Sequence, residues 1–470
     1  MNLLKKLFSF SIGSIVALVI GIISTPLITR IIEPAEYGIA TIFMTVGSLV
    51  TVVSLAGLDQ AFVRFFYESN RVNLLKKSLS LSIGITAVIS LLLYIFDDLF
   101  SSYISSDTTY ALLMCLYIFA ALIFRFSTLM LRMLQFGYRY SLIQAFQKVL
   151  DLVFVLSISF IFLPNRYALI FSSILTLLVL SLFTLLLAKS FWKQKGNEIR
   201  TVQYKELLAY SLPLLISSFM TILFQTLDKL YLNAWVSSEE LGIYGAGFKL
   251  IAILGIIQSS FALFWAPVSL EHYKKHPEDH DFYGRMSKII TVVMMSVCII
   301  VVMFKDILVL FLGPEYREAS SVVAMLVLMP VMYTMSETTI QGVNFKFKSY
   351  LHIFISSFAL AANILLCSML IPKLGMQGAA ISVALSYVVF YLARTYYGLK
   401  HYYFDNKIMQ TLIMLACLII WMITVIFTEN LLIMIAGGLS LLVLLFSLFR
   451  QEIRESKQFF ITVIKERWAK

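Results

Sequence analysis

Apolar stretches alternate with short polar segments along the whole chain. Fourteen such stretches are roughly 17 to 26 residues long, and about 20 helical residues are needed to cross the hydrocarbon core of a bilayer. No segment between them is long enough for a folded soluble domain. The pattern predicts an all-α polytopic membrane protein with about 14 transmembrane helices. They lie near residues 8–31, 39–63, 78–96, 110–131, 141–163, 167–188, 207–232, 241–266, 288–304, 320–342, 350–371, 377–398, 408–427 and 430–449.

The charges between the stretches predict an orientation. If the N-terminus lies in the cytoplasm, 30 of the 37 Lys and Arg residues fall on the cytoplasmic side. Five fall on the outer side, and Lys229 and Lys249 lie within spans. Some of the thirty, Arg125 above all, lie near or inside a span. This bias obeys the positive-inside rule. It predicts a multi-pass protein with both termini in the cytoplasm. The five outer cations are Arg30, Arg166, Lys305, Arg317 and Lys373.

Composition excludes several other classes of protein. Hydrophobic residues make up 60% of the chain and charged residues 13%, which is typical of membrane proteins. The net charge of +11 would indicate nucleic acid only on a basic face of a soluble domain, so we expect no nucleic-acid partner. The histidines at 272, 276 and 280 have helical ligand spacing, but Pro277 interrupts it. We therefore predict no metal site, and no catalytic constellation is visible.

Two similar short segments of the sequence predict an internal repeat. The segments 33–38 and 239–245 both contain acidic residues followed by Tyr-Gly, and the two Tyr-Gly pairs are 207 residues, or six spans, apart. An even number of spans preserves orientation, which predicts two six-helix lobes related by a parallel repeat plus two C-terminal helices. The predicted domains are 1–206 with spans 1–6, 207–400 with spans 7–12, 401–450 with spans 13 and 14, and a basic tail, 451–470. The tail suits either an interfacial helix or a solvated end.

Six short motifs resemble one family. In their order and spacing they are similar to the bacterial polysaccharide flippases of the multidrug/oligosaccharidyl-lipid/polysaccharide exporter superfamily. The resemblance runs from about residue 10 to residue 400 and leaves the last two spans and the tail uncovered. The motifs lie at residues 26–38, 57–65, 211–213, 241–245, 313–316 and 370–380.

The resemblance implies a function and a location. Such a flippase moves undecaprenyl-pyrophosphate-linked oligosaccharide repeat units from the cytoplasmic to the outer leaflet of the bacterial inner membrane by alternating access. The product would feed O-antigen, capsule or exopolysaccharide biosynthesis. The polysaccharide polymerase and glycosyltransferases of the same pathway are then candidate partners, beside the lipid bilayer itself.

Charged residues inside spans are the candidate site residues, because a charge at mid-bilayer costs about 2.5–3.5 kcal/mol on insertion scales. We predict that four basic residues form a cationic lining for the pyrophosphate, since Arg presents a forked set of donors matched to phosphate oxygens. Snorkelling to the interface is the alternative for Arg64 and Arg125. The four are Arg30, Arg64, Arg125 and Lys249.

The acidic residues leave two interpretations open. Asp59 is either a proton or cation site or a structural partner of Arg64 or Arg30. Asp228 and Lys229 are adjacent and point in different directions on a helix, so we expect their partners on other spans or in a wet cavity. No cofactor is predicted, and coupling to a proton or sodium gradient is left open.

Two other functions compete with the flippase. An ion-coupled exporter of small cationic compounds, similar to multidrug exporters, would favour acidic residues in the first-lobe cavity, where the excess here is basic. A membrane polysaccharide polymerase would carry a large outer loop or Asp-rich cytoplasmic motifs. The outer segments 97–109 and 305–319 are too short for a catalytic domain. The sequence therefore favours a transporter over an enzyme.

Overall fold

The computed structural model describes residues 16, 19–21, 23–104, 110–162, 164–188, 191, 201–428 and 430–452. Throughout these residues the regular secondary structure is helical. The predicted all-α fold is confirmed. The first half of the predicted span 8–31 and most of the basic tail lie outside the described residues, and so does the choice between an interfacial helix and a solvated end.

The number of membrane-length helices agrees with the prediction of about fourteen. Among the described residues, eleven helices are long and apolar enough to cross a bilayer. A bent pair, Ser238–Ile251 and Leu254–Lys275, joined at 43°, makes a twelfth if it is one span. The longest helix, Tyr350–His401, has 52 residues and is interrupted at Gly375, where φ is 55° and ψ is −133°. It therefore provides two spans, and residues 23–29, the end of the first predicted span, are also helical.

The chain divides into two compact units. The first comprises residues 1–246 and 312–316. Within it, α5 packs along α7, and α1 contacts α5, α7 and α8. Its helices are α1 (Pro34–Leu55), α2 (Leu58–Phe65), α3 (Arg71–Ile95), α4 (Asp97–Ile104), α5 (Tyr110–Met133), α6 (Gly137–Ile161), α7 (Arg166–Leu187), α8 (Tyr204–Trp235) and the first part of α9 (Ser238–Ile251).

The second unit comprises residues 247–311 and 317–470. Its centre is α14, which packs against α10, α11 and α16. Its helices are α10 (Leu254–Lys275), α11 (His280–Met303), α12 (Lys305–Val309), α13 (Ala319–Leu326), α14 (Leu328–Thr339), α15 (Gln341–Phe345), α16 (Tyr350–His401), α17 (Ile408–Thr428) and α18 (Leu431–Leu448).

Local sequence sets several helix ends. Pro34 starts α1, where its missing N–H costs nothing and its fixed φ suits a helix. The helix consequently begins before residue 39, the predicted start of that span. Asn70 caps α3 by accepting hydrogen bonds from the backbone N–H groups of Val72 and Asn73, both at 3.2 Å. Such caps satisfy backbone donors that have no partner within the helix.

The first turns of α1 and α9 meet backbone to backbone. A Cβ atom added to Gly38 would lie 1.8 Å from the carbonyl oxygen of Ser238, and one added to Gly242 would lie 1.8 Å from that of Pro34. Only glycine permits so close an approach, as in small-residue crossings of membrane helices generally. The two segments that echo each other in the sequence are thus in direct contact within the first unit. We call this contact the glycine crossing.

Candidate functional site

An Arg–Asp pair inside the first unit is the core of the site. The chain turns sharply after α1, because Ala56 and Gly57 have left-handed φ values of 48° and 71°. The turn starts α2 in a new direction and places Asp59 in its first helical turn. Arg125 of α5 reaches the Oδ2 atom of Asp59 with Nε at 3.0 Å and Nη2 at 2.7 Å. The carboxylate thus holds one edge of the guanidinium.

The other edge of Arg125 is open. The side chain is 47% exposed, whereas that of Asp59 is 10% exposed. A guanidinium has five N–H donors, and the bonds to Asp59 account for two. The remaining three have no acceptor among the residues that the structure describes. The aromatic pair Phe62–Phe126, edge to face at 6.1 Å, packs beside the ion pair. Arg125 is therefore oriented by a buried carboxylate and can hold an anion on its exposed side.

A polar contact joins α2 to α8 next to Asp59. The carboxamide of Gln60 lies 3.4 Å from the hydroxyl of Ser218. A Cβ atom on Gly57 would lie 2.4 Å from the carbonyl oxygen of Ser211, so the turn before α2 also packs closely against α8. The neighbourhood of Arg125 therefore offers exposed hydroxyl and amide groups besides its cation.

Asp59 pairs with Arg125 and not with Arg64 or Arg30, the two partners that the structural alternative named. Residues five apart on a helix point to different sides, and Arg64 instead pairs with Glu68, one turn further on. Both members of that pair are exposed, so its contribution to stability is small. Arg30 lies at the opposite end of α1 from Asp59 and makes no ion pair with any described residue.

The predicted cationic lining is spread along the molecule. Arg30 precedes α1 and Arg125 pairs with a residue that follows it, and a helix of 22 residues is about 33 Å long. In this conformation the two arginines cannot contact one pyrophosphate together. Lys249 belongs to the second unit, near the end of α9, with an exposed side chain. Among these cations, Arg125 is held by a buried acid, Asp59.

Asp228, Lys229 and Tyr244 form a second buried polar group in the first unit. Contrary to the prediction, the ammonium of Lys229 lies 3.4 Å from the Oδ2 atom of Asp228, because a long side chain can fold back onto its neighbour. The expected partner on another span is also present, since the hydroxyl of Tyr244 in α9 donates to the same oxygen. The Oδ1 atom of Asp228 is buried without a hydrogen-bond partner among the described residues.

A third pair lies in the core of the second unit, where Glu337 of α14 meets Arg394 of α16. Arg394 is only 6% exposed, and its Nη1 atom lies 2.9 Å from the carboxylate of Glu337 and 2.8 Å from the hydroxyl of Ser336. The two positions are far apart in sequence, so no local pattern could have joined them.

The segment 272–283, which contains three of the histidines, forms an aromatic and polar cluster in the second unit. His272 lies 2.8 Å from the carboxylate of Asp279 and stacks on Phe282. Burial tends to raise the pKa of Asp279, but its hydrogen bonds with His272 and the N–H of Phe282 outweigh this and hold the pKa below its ordinary value. Because α10 ends at Lys275, the three histidines do not share one helix face.

Comparisons with known proteins give a family and a fold. A family model described as "Polysaccharide biosynthesis protein" matches residues 3–272, more than half of the chain. No curated protein matches the sequence significantly.

Among solved structures, the lipid II flippase MurJ in an inward closed conformation aligns with a TM-score of 0.66 and 16% identity, over 94% of this chain and 99% of that one. An inward-facing multidrug resistance MATE family transporter of the MOP superfamily aligns with a TM-score of 0.56 and 17% identity, over 82% and 93%. A MOP superfamily transporter from Pyrococcus furiosus, described by a reversed polarity of its binding pocket, gives 0.56 and 16%, over 84% and 94%. The chain has the fold of these flippases and transporters.

Proposed function

The chain belongs to the polysaccharide biosynthesis protein family, and on that premise we propose that it is a flippase for undecaprenyl-pyrophosphate-linked oligosaccharides. It moves repeat units of a surface polysaccharide from the cytoplasmic to the outer leaflet of the bacterial inner membrane. It acts as a transporter and not as an enzyme. The fold shared with flippases and transporters supports a transport role, and the charged residues of the first unit support the choice of substrate.

The observation that carries the proposal is the half-exposed Arg125 held by buried Asp59. A pyrophosphate cannot enter hydrocarbon without groups that replace its hydration, because bare charges are costly to bury. The remaining N–H donors of Arg125 match the forked geometry of phosphate oxygens. Asp59 keeps the guanidinium in place before the substrate arrives, which reduces the entropy lost on binding.

The substrate headgroup then passes through a polar environment while its polyprenyl chain stays in lipid. Alternating access, in which the protein opens to one side of the membrane and then to the other, moves the headgroup past the charged residues. Arg30 lies at the far end of α1 from Arg125, so we propose that it meets the pyrophosphate at a different stage of transport. Lys249 remains a proposed contact on the second unit.

Variants of Arg125 test the proposal. Purified protein in liposomes would be supplied with a fluorescent undecaprenyl-pyrophosphate disaccharide, and its movement between leaflets would be followed. We expect Arg125→Gln to slow transport about 10- to 100-fold, because a hydrogen bond to a charged group is worth about 1.5–3 kcal/mol. Arg125→Lys should be intermediate, since the charge remains but the fork is lost.

Arg132→Gln is the matched control. Arg132 lies in the last turn of the same helix, α5, and is exposed, so its loss removes an equal charge away from Asp59. Near-normal transport by correctly inserted Arg125→Gln protein would reject the proposed role of Arg125. Transport of small cationic compounds in place of the lipid-linked saccharide would reject the flippase itself.

A further inference from the structure

The second unit contains a polar cavity that the proposed transport route does not use. It has a volume of 460 Å³ and lies among the ends of α12, α13, α17 and α18 and the break within α16. Pockets for small ligands typically measure about 300–1,000 Å³. Its charged lining residues are Lys305, Asp306, Arg317 and Glu318. We call it the outer cavity.

The charge pattern of the sequence predicts on which side of the membrane this cavity opens. Two of the five cations that the topology assigns to the outer side, Lys305 and Arg317, line it. The break in α16 at Gly375 also contributes to the outer cavity. The two residues that follow it, Met376 and Gln377, line the cavity. This break lies in the sequence motif at residues 370–380, to which the proposed function assigns no role.

A buried lysine anchors the polar side of the cavity. Lys305 is 5% exposed, and its ammonium lies 2.7 Å from the carboxylate of Asp306 and 3.2 Å from the hydroxyl of Ser320. An ammonium has three N–H donors. Those two contacts leave one donor for a group inside the cavity. A buried cation that is only partly satisfied by its protein neighbours is costly unless a ligand or water completes its shell.

Among the described residues, the lining combines donors and acceptors without an excess of either charge. Two carboxylates balance the two cations. Gln377 adds an amide, and Asn430 caps α18 with its carbonyl oxygen, so that its NH₂ group remains available as a donor. The lining also contains apolar residues, among them Met376, Leu431 and Met434.

We propose that the outer cavity binds a sugar residue of the transported glycan after its release on the outer side. Hydroxyl groups both donate and accept, so a polyol can pair with carboxylates, cations and amides at once. The apolar lining residues can pack against the C–H face of a pyranose ring. A pyrophosphate would meet the carboxylates of Asp306 and Glu318, and an aliphatic chain would make no hydrogen bonds with the polar groups of the lining. The inference rests on the proposed flippase function, which it extends by a second contact with the glycan.

Binding can be measured directly on the full chain in lipid nanodiscs. Saturation-transfer NMR would use methyl glycosides of glucose, rhamnose, N-acetylglucosamine and glucuronic acid as probes, at concentrations up to about 10 mM, since contacts with single sugars are often of millimolar affinity. We expect at least one neutral glycoside to bind. Glu318→Gln, Arg317→Gln and Gln377→Leu should each weaken that binding about fivefold or more.

Lys373→Gln is the control, because Lys373 is an exposed cation of the same predicted side that does not line the cavity. It should leave the affinity unchanged. Absence of binding by every glycoside, equal binding by all variants, or preferential binding of glycerophosphoethanolamine, the headgroup of a zwitterionic lipid, would overturn the inference.

The result is separable from the test of the proposed function. Binding is measured without transport, and transport is measured with the lipid-linked substrate. If transport depends on Arg125 and no glycoside binds, only the outer cavity inference fails. If a glycoside binds and the lipid-linked substrate is not moved, the cavity is a carbohydrate site and the flippase proposal fails.

Discussion

Several charged residues within the membrane-length helices are found in pairs. Asp59 meets Arg125, and Glu337 meets Arg394. Asp228 is bonded by both a lysine and a tyrosine. Pairing lowers the cost of placing a charge in hydrocarbon, so most of these residues have a structural role in addition to any role in transport. Arg125 stands apart because nearly half of its side chain is exposed beside an almost fully buried partner.

The Glu337–Arg394 pair should contribute strongly to stability. Glu337→Gln leaves the buried guanidinium of Arg394 without its counter-charge, and breaking a buried pair typically costs about 3–5 kcal/mol. Unfolding of the purified protein in mild detergent would be followed by circular dichroism. Replacing both residues by Met should cost less than the single change. Glu271→Gln, at an exposed pair with Lys275, is the control and should have little effect. A single variant as stable as the parent would refute the structural role.

The hydroxyl of Tyr244 should matter through Asp228. Tyr244→Phe removes the donor from a buried carboxylate that already has one unsatisfied oxygen. A lost hydrogen bond to a charged group costs about 1.5–3 kcal/mol, and we expect a loss of that size in the free energy of unfolding. Tyr94→Phe, at an exposed position in α3, should be neutral. If Tyr244→Phe leaves stability intact, Asp228 is neutralised in some other way.

At the scale of elements, breaks in helices place the functional groups. The turn at Ala56 and Gly57 directs Asp59 toward α5, and the break at Gly375 forms a wall of the outer cavity. The glycine crossing lets α1 and α9 touch through their backbones. Each feature depends on one or two residues, so single substitutions should have effects that reach across whole helices.

The glycine crossing gives a direct test. Gly38→Ala places a methyl group where the carbonyl of Ser238 lies, so α1 and α9 must separate. We expect a loss of about 1–3 kcal/mol, the usual range for overpacking. Gly84→Ala is the matched control, because its Cβ would meet nothing within 4 Å and alanine favours a helix. Equal behaviour of the two variants in thermal unfolding would contradict the crossing.

For the whole molecule, the arrangement of basic residues predicts the orientation in the membrane. Most of the basic residues lie between predicted spans on the cytoplasmic side. The number of membrane-length helices among the described residues is close to the number of spans on which this assignment depends. The fold shared with flippases and transporters of known structure shows a multi-pass membrane protein. The sidedness itself remains a prediction.

Cysteine labelling tests that sidedness. In a background without the four native cysteines, Lys373→Cys should react with an impermeant thiol reagent added from outside. Lys205→Cys and Lys346→Cys should react only after the membrane is opened. All three positions are exposed in the structure, so a lack of labelling reports sidedness and not burial. Labelling of Lys205→Cys from outside would invert or disrupt the predicted topology.

The sequence by itself determined the class of fold and the identity of the charged candidates. Hydrophobic length decides which segments can span a bilayer, and that property is local. The two similar segments of the sequence, 33–38 and 239–245, contain Gly38 and Gly242, the two glycines of the glycine crossing. Asp59, Arg125 and Asp228 are candidates from the sequence because a charge in an apolar stretch needs an explanation.

Only the tertiary structure decided which of these charges meet. Asp59 could have paired with several arginines, and the turn at Gly57 selected Arg125 on a different helix. Arg394 pairs with Glu337 of another helix, and the local sequence of neither segment predicts this contact. The outer cavity is assembled from five helices. Pairing depends on distances between segments far apart in the chain, and these are fixed by packing rather than by the periodicity of any one helix.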